Sequence, residues 1–302
     1  MYIHKKLILS IFLLSGVLIS FILFSSDPEV MSTPAEITIE VQSPEVPKSL
    51  QFANEKVPLQ EYEIYERFDN ELISNAYFHS NTIKMMKRAN RWFPLIEPIL
   101  KQNGIPEDFK YLALAESGLQ NVTSPSGAKG FWQFLKRTAQ QYGLEVNKEI
   151  DERYHVLLET QAACEYLQDA HNKFGSWTLA AASYNAGMDK ITKRLEEQEV
   201  SNYYDLALNT ETSRYLFRIL AIKTIFENPQ KYGFLLTQKD LYHSINYRTV
   251  KIDTTIDNLV DFAHNQNINY RILKAANPWL RSDHLPDKSG KLYILKIPKS
   301  KN

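Results

Sequence analysis

The sequence predicts an all-α fold followed by a small β-α-α-β segment at the C-terminus. Between residues 61 and 231 apolar side chains recur at spacings of three and four, the period of an amphipathic helix. No alternating pattern of comparable strength interrupts them. Beyond residue 232 two alternating stretches, INYRTVKI and KLYILKI, flank two short helical stretches. We therefore expect one helical domain over residues 61–231 and a mixed segment over residues 243–300.

The N-terminal segment, residues 1–24, has the pattern of a membrane anchor. An uninterrupted apolar run from Leu7 to Phe24 follows Lys5 and Lys6. As a helix it would be about 27 Å long, which nearly spans a hydrocarbon core. Leu23 and Phe24 stand where a cleaved signal peptide would need small residues, so an uncleaved anchor is favoured over a signal peptide. The preceding lysines predict that the rest of the chain lies outside the cytoplasm.

Residues 25–60 are predicted to be a linker. They carry prolines among Ser, Thr and Glu, without helical or strand periodicity over any useful length. A linker of this kind would let a tethered domain reach a substrate some distance from the membrane.

Composition and charge exclude several function classes. The 35 Lys and Arg residues balance 35 Asp and Glu residues, so no whole-chain field would attract nucleic acid, and we expect no nucleic-acid partner. The seven histidines lack the spacing of a zinc site, and we expect neither a metal nor a cofactor. The single cysteine, Cys164, lies in an apolar helical stretch and is expected in the core.

The helical stretches have a consistent pattern in chain order. They are EYEIYERFDNELISNAYF, TIKMMKRANRWFPLIEPILKQ, PEDFKYLALAES, TQAACEYLQDAHNKF and TSRYLFRILAIKTIF. The third of them ends in a candidate acid, Glu116. Pro106 suits its first turn and Gly118 is a natural stop.

Glu116 projects from the apolar face of that helix, because Leu112 and Ala113 stand four and three positions before it. A poorly solvated carboxyl has a raised pKa, and an acid that is neutral near about pH 6 to 7 can protonate a glycosidic oxygen. The alternative is a capping or salt-bridged glutamate at a helix end.

A tight loop is predicted around Gly127 and Gly130, because glycines let the backbone approach a ligand closely. Trp132 and Phe134 offer flat apolar faces of the kind that stack on sugar rings, and Gln133 offers an amide donor and acceptor. A turn followed by core aromatic residues is the alternative interpretation.

A further helix is predicted to begin after Ser176, which is a plausible N-cap, and to end near Gly187. Tyr184 and Asn185 lie at its C-terminal end, where they could orient an acid or hold an acetamido group. A capping asparagine beside a packed tyrosine would give the same pattern.

Together these motifs resemble the soluble lytic transglycosylase family, and more closely its membrane-bound murein transglycosylase D branch. The matching segments are the Glu-Ser pair at 116–117, SGAKGFWQF at 126–134 and ASYNAG at 182–187. Further family-like runs are TAQQYGL at 138–144, DER at 151–153, TQAA at 160–163 and ETSRY at 211–215. The resemblance covers roughly residues 75–230, and its specificity lies in the common order and spacing of motifs that are modest singly.

The resemblance implies a lysozyme-like helical fold and an enzyme that cleaves the β-1,4 bond between MurNAc and GlcNAc in peptidoglycan, leaving 1,6-anhydro-MurNAc ends. It implies that Glu116 is the single catalytic acid and base. Gln133, Tyr184 and Asn185 would bind the sugars around the cleaved bond, and Ser117 would hydrogen-bond Glu116 or the muramyl sugar. The expected partner is the peptidoglycan glycan strand, and the expected location is the cell envelope, with the chain anchored in the inner membrane facing the periplasm or exported to the periplasm.

Some residues depart from the family pattern. Phe131 stands where the family usually has Leu, and Ser183 where it often has Ala, which leaves the preference for particular glycans open. Two other functions also remain open: a lysozyme-type peptidoglycan hydrolase, which would need a second carboxylate to activate water, and a non-catalytic peptidoglycan-binding scaffold.

The C-terminal segment resembles a degenerate LysM module. Its β-α-α-β order agrees with such a module, but the usual Gly-Asp-Thr-Leu opening is replaced by IDTTI at 252–256. Glycan binding by this segment, and its alternative role as an embellishment packed on the helical domain, are both left open.

Overall fold

A computed structural model describes residues 41–286 and 290–299 of the chain. The chain divides into residues 1–42 and residues 43–302, and the elements described below lie in the second, compact unit. The predicted membrane anchor, residues 1–24, lies outside the described residues. Within the described ranges no helix is both long enough and apolar enough to cross a membrane.

The part of the chain that carries the predicted motifs is helical, as expected. Its α-helices are α1 (Tyr62–Tyr77), α2 (His79–Gln102), α3 (Phe109–Ser117), α4 (Lys136–Gln141), α5 (Val156–Phe174), α6 (Trp177–Ala186), α7 (Met188–Gln198) and α8 (Thr210–Glu227). Ser176 caps α6 through its side-chain oxygen, which accepts from the Leu179 amide, and Gly118 ends α3 in the left-handed conformation. Helix α3 begins at Phe109, three residues after Pro106.

Helix α8 lies at the centre of this part, because it is apolar around most of its circumference. Leu216, Phe217 and Leu220 are fully buried. Helices α1, α3 and α6 all pack against α8. This arrangement brings the middle of α8 next to the C-terminal end of α3, where Glu116 lies.

The C-terminal domain (residues 247–298) has the predicted β-α-α-β order. Strands β3 (Tyr247–Ile252) and β4 (Tyr293–Pro298) pair antiparallel, and α9 (Leu259–Asn265) and α10 (Tyr270–Ala276) lie between them in the chain. A second apolar core fills this domain, and two residues from the helical part, Ile150 and Tyr154, belong to it.

The structure differs from the sequence prediction at the end of the linker. Strands β1 (Gln51–Phe52) and β2 (Glu55–Lys56) form a short hairpin, and Phe52 is fully buried in the main core. Burial of a phenylalanine side chain stabilises the folded state by about 2 kcal/mol. Lys223 of α8 donates to the Gln51 carbonyl at 2.9 Å. The ordered body therefore includes residues that we predicted as linker.

Candidate active site

Glu116 is the penultimate residue of α3, and its carboxyl is directed toward α8. Leu112 and Ala113 are fully buried, so the carboxyl projects from the apolar face, as predicted. The Tyr215 hydroxyl of α8 donates a hydrogen bond to Glu116 Oε1. Glu116 as a whole residue is partly exposed, but its carboxyl is almost entirely surrounded by protein groups.

Burial is the main cause of a raised pKa at Glu116, which lies at about 7. The Tyr215 hydrogen bond and the positive charge of Arg218 favour the carboxylate and lower the pKa, but they do not compensate for the lost hydration. The negative charge of Glu211 raises the pKa further. At neutral pH the group is divided between its acid and its carboxylate forms, so it can both donate and accept a proton.

Ser117 connects the end of α3 to the neighbouring loop. It is buried, and its hydroxyl donates to the Phe131 carbonyl at 2.8 Å, with a longer contact of 3.3 Å to the Ala113 carbonyl. These hydrogen bonds go to the backbone and not to Glu116. Ser117 thus fixes the distance between the catalytic candidate and the substrate loop (residues 127–134).

The substrate loop is held against α5 by a buried carboxyl. Glu159 is fully buried, and its Oε2 accepts from the Phe131 amide at 2.9 Å and the Trp132 amide at 3.2 Å. Gly130 lies at φ +85°, and a Cβ there would come within 1.8 Å of the Arg153 carbonyl oxygen and 2.3 Å of Glu159 Oε2. Only glycine fits that position.

The aromatic residues of this loop belong to the core. Trp132 is fully buried and its indole nitrogen donates to the Thr160 hydroxyl at 2.9 Å, while Phe134 is 3% exposed. Of the two interpretations of these rings, the core aromatic one describes the structure. Gln133, between them, adopts φ +52° and its amide nitrogen donates to the Gly130 carbonyl at 2.8 Å.

Tyr184 and Asn185 lie at the C-terminal end of α6, beside the same loop. The Tyr184 hydroxyl donates to the Trp132 carbonyl at 2.8 Å, and burial together with the neighbouring Glu116 charge raises the pKa of Tyr184. Asn185 Oδ1 accepts from the Thr212 hydroxyl at 2.9 Å. Tyr184 thus contacts the substrate loop, and Asn185 contacts α8, the helix that also carries Tyr215.

A cleft of about 640 Å³ opens along these residues. Its walls include Gln133, Tyr184 and Asn185, which are three of the five predicted site residues. A second cavity of about 660 Å³, between α2 and residues 226–241, contains none of the five. Glu116 is not among the residues that line the first cleft, but its charge raises the pKa of Tyr184, which is one of them.

The structure adds groups that sequence reasoning had given no role. Tyr215 bonds Glu116, Arg218 acts on its pKa, and Glu159 holds the substrate loop. Tyr215 lies inside the family-like run at 211–215, which was a signal for the segment but not for the residue. Glu159 carries a weaker signal, since it is a carboxylate in an apolar helical stretch.

Among the described residues no group of three His, Cys, Asp or Glu side chains could hold a metal ion.

Comparison with known proteins agrees with the predicted resemblance. Residues 94–206 match the family described as transglycosylase SLT domain, and residues 248–301 match the soluble lytic transglycosylase C-terminal LysM-like domain. Membrane-bound lytic murein transglycosylase D of Escherichia coli K12 is 27% identical over 242 residues, covering 78% of this chain and 52% of that protein. The chain thus spans about half the length of the curated relative it matches.

Two solved structures were also found to be similar. The 70 kDa soluble lytic transglycosylase of Escherichia coli has a TM-score of 0.39 and 20% identity, covering 49% of this chain and 26% of that one. The lytic transglycosylase Slt of Pseudomonas aeruginosa has a TM-score of 0.39 and 18% identity, covering 59% of this chain and 35% of that one. The resemblance stated from the motifs, including the LysM-like C-terminal segment, is confirmed by the family matches.

Proposed function

We propose that this chain, which carries a transglycosylase SLT domain followed by a LysM-like domain, is a peptidoglycan lytic transglycosylase. It would cleave the β-1,4 bond between MurNAc and GlcNAc and leave 1,6-anhydro-MurNAc ends. The observation that carries the proposal is the Glu116 carboxyl, which has a pKa of about 7, accepts a hydrogen bond from Tyr215 and acts through its charge on Tyr184 in the wall of the cleft.

One carboxyl can serve both halves of this reaction. In the first step the neutral Glu116 donates its proton to the glycosidic oxygen as the bond to the anomeric carbon breaks. In the second step the resulting carboxylate takes the proton of the 6-hydroxyl of the same muramyl residue, and that oxygen bonds to the anomeric carbon. No water is consumed. A nucleophile held within the substrate has a high effective molarity, so a second carboxylate is not required.

Tyr215 supports the first half of the reaction, in which Glu116 becomes a carboxylate. Its hydroxyl donates to the Glu116 oxygen, and such a bond favours the carboxylate that forms when the proton leaves. Gln133, Tyr184 and Asn185 would bind the acetamido and hydroxyl groups of the two sugars, since all three line the cleft. Ser117 would act by holding the Phe131 carbonyl and so the substrate loop.

The setting follows from the relative and from the sequence pattern. We propose that the chain works on peptidoglycan in the bacterial cell envelope, attached to the inner membrane through residues 1–24 or exported to the periplasm. The similar transglycosylase D of Escherichia coli is described as membrane-bound, which supports the first arrangement. The proposed reaction uses acid and base chemistry alone and needs no cofactor.

A lysozyme-type hydrolase is the rival that a specific residue favours. Hydrolysis needs a second carboxylate to activate water. Glu211 is exposed and its charge acts on the pKa of Glu116, which makes it the residue to test.

The test is digestion of purified sacculi by the full chain, by Glu116→Gln and by Glu211→Gln, with the products identified by mass spectrometry. The proposal expects anhydromuramyl products from the parent and from Glu211→Gln, and none from Glu116→Gln. Reducing ends from the parent, lost in Glu211→Gln, would identify a hydrolase. Sacculus binding without products from any of the three would identify a scaffold.

A further inference from the structure

We infer that the C-terminal domain is a positioning element of the active site. In this arrangement the domain presses a clamp segment (residues 145–155) against the substrate loop and so fixes Gln133 relative to Glu116. The inference rests on the proposed function for its catalytic consequence, but the mechanical coupling can be measured without any assay of activity.

The clamp segment is joined to the C-terminal domain through backbone hydrogen bonds. The Asp151 amide donates to the Trp279 carbonyl at 2.9 Å, and the Arg281 amide donates to the Glu149 carbonyl at 2.7 Å. Between these bonds Ile150 pairs with Leu280 as an isolated β-bridge, and both side chains are fully buried. The two segments therefore pair like short antiparallel strands, and the paired side chains are buried in an apolar core.

Charged side chains strengthen the same contact. Lys291 Nζ lies 2.8 Å from Glu145 Oε2 and 2.8 Å from Glu152 Oε1, so one ammonium group bridges two carboxylates of the clamp segment. The Tyr293 hydroxyl also donates to Glu145 at 2.9 Å. Glu152 is 4% exposed, and an unpaired carboxylate at such a site is costly.

On its opposite side the clamp segment forms hydrogen bonds to both ends of the substrate loop. Arg153 Nη1 donates to the Gly127 carbonyl and to the Phe134 carbonyl, each at 3.2 Å. Asp151 fixes the guanidinium in a two-point contact, with Nε to Oδ1 and Nη2 to Oδ2 both at 2.8 Å. The Arg153 side chain is 4% exposed, so it is fully engaged and cannot shift without moving its partners.

These contacts form one continuous path from the C-terminal domain to the cleft. Strand pairing and Lys291 hold the clamp segment, Arg153 of that segment holds the substrate loop, and Ser117 holds the same loop from the α3 side. The path also occupies residues 279–281 of the C-terminal domain with protein contacts, so that surface is not open to a glycan. The C-terminal domain thus affects the substrate indirectly, by positioning the substrate loop of the helical part.

Lys291→Met is the variant that weakens this path, since the side chain keeps an unbranched stem of similar shape but loses the ammonium group. Lys291 is 41% exposed, so the domain is expected to stay folded. Lys251→Met, at an exposed lysine of β3, is the matched control. Hydrogen exchange of the backbone amides of residues 127–134 in the full chain is the first readout. Turnover and KM on soluble glycan strands are the second.

The expected result is faster exchange in the substrate loop of Lys291→Met, unchanged exchange in α5 and α6, and no effect of Lys251→Met. Turnover should fall by roughly threefold or more with binding to sacculi unchanged. Tyr293→Phe should give a smaller effect in the same direction, and Lys291→Arg should behave like the parent.

Loop exchange equal to that of the parent, or faster exchange throughout α5 and α6 as well, would overturn the inference. If the parent itself makes no anhydromuramyl product, the proposed function fails while the exchange data still decide the coupling.

Discussion

At the scale of single residues, the raised pKa of Glu116 affects both the pH dependence of folding stability and the proposed proton donation. Its folded-state pKa of about 7 lies above the ordinary 4.5, so the folded chain binds this proton more tightly than the unfolded chain does. Any contribution of this group to stability is therefore complete below pH 4.5 and is lost as the pH rises through about 7. The same raised pKa keeps the acid form available for the first step of the proposed reaction.

Tyr215→Phe should shift the pH dependence of the reaction. The phenol stabilises the Glu116 carboxylate, so its removal raises the pKa of Glu116 beyond about 7 and moves the alkaline decline in rate to higher pH. Turnover should fall by about tenfold, as expected for a lost hydrogen bond to a charged group. The measurement is a pH–rate profile of anhydromuramyl formation.

Tyr203→Phe is the control, because that hydroxyl donates to the Thr212 and Ser213 carbonyls and not to Glu116. Its profile should follow that of the parent. An alkaline limb of Tyr215→Phe that stays in place, or moves to lower pH, would contradict the role given to Tyr215.

The position of Glu116 on an apolar face could be predicted from the sequence, whereas its contact with Tyr215 could not. Glu116 stands out because an acidic residue falls on the apolar face of a short helix, which is a local pattern. Tyr215 lies 99 positions away on α8, and only the packing of that helix against α3 brings the two together. Local periodicity contains no information about such a long-range contact.

At the scale of elements, the substrate loop shows how a predicted turn becomes a rigid support. The two glycines correctly indicated a tight loop, but their requirements differ. Gly127 has open space around it, whereas Gly130 is enclosed by the Arg153 carbonyl and Glu159. The sequence could not distinguish them, because the enclosing groups come from residues 153 and 159.

Gly130→Ala should therefore be much more harmful than Gly127→Ala. The first change forces a Cβ into backbone and buried carboxyl, so we expect loss of activity and a free energy of unfolding lower by about 3 kcal/mol or more. The second adds only the strain of a left-handed alanine, about 1 kcal/mol. Chemical denaturation and product formation, measured on both variants, check this difference. Equal losses in the two variants would show that the loop relaxes around residue 130.

At the scale of the whole molecule, the sequence pattern predicted the order of the linker, the helical region and the C-terminal domain better than the residues at which each begins and ends. Helical periodicity and strand alternation correctly predicted a helical region followed by elements in the order β-α-α-β. The proline-rich pattern led us to extend the linker to residue 60, but Phe52 and Val57 are buried in the core. Two-residue strands are too short to give an alternating pattern, so the hairpin of β1 and β2 left no signal. Residues 243–300 were separable by pattern, yet Ile150 and Tyr154 complete their core.

The hairpin also caps α6, which carries Tyr184 and Asn185. Glu55 accepts hydrogen bonds from the Ser176 hydroxyl at 2.9 Å, the Trp177 amide at 2.6 Å and the Thr178 amide at 2.9 Å. A carboxylate at a helix N-terminus satisfies free amides and complements the helix dipole. A residue outside the predicted domain thus stabilises a helix of the active site.

Glu55→Ala should destabilise the folded chain by about 1–2 kcal/mol, the usual effect of losing a helix cap. For a domain of this size that corresponds to a fall of about 4 °C in the midpoint of thermal unfolding. Lys56→Ala, at the exposed neighbouring position of β2, is the matched control and should melt with the parent. Because α6 lines the cleft, Glu55→Ala should also lose activity at a lower temperature than the control does. If the two variants melt together, the Glu55 carboxylate does not stabilise α6, and the hairpin is held to the body by its other contacts, among them the burial of Phe52.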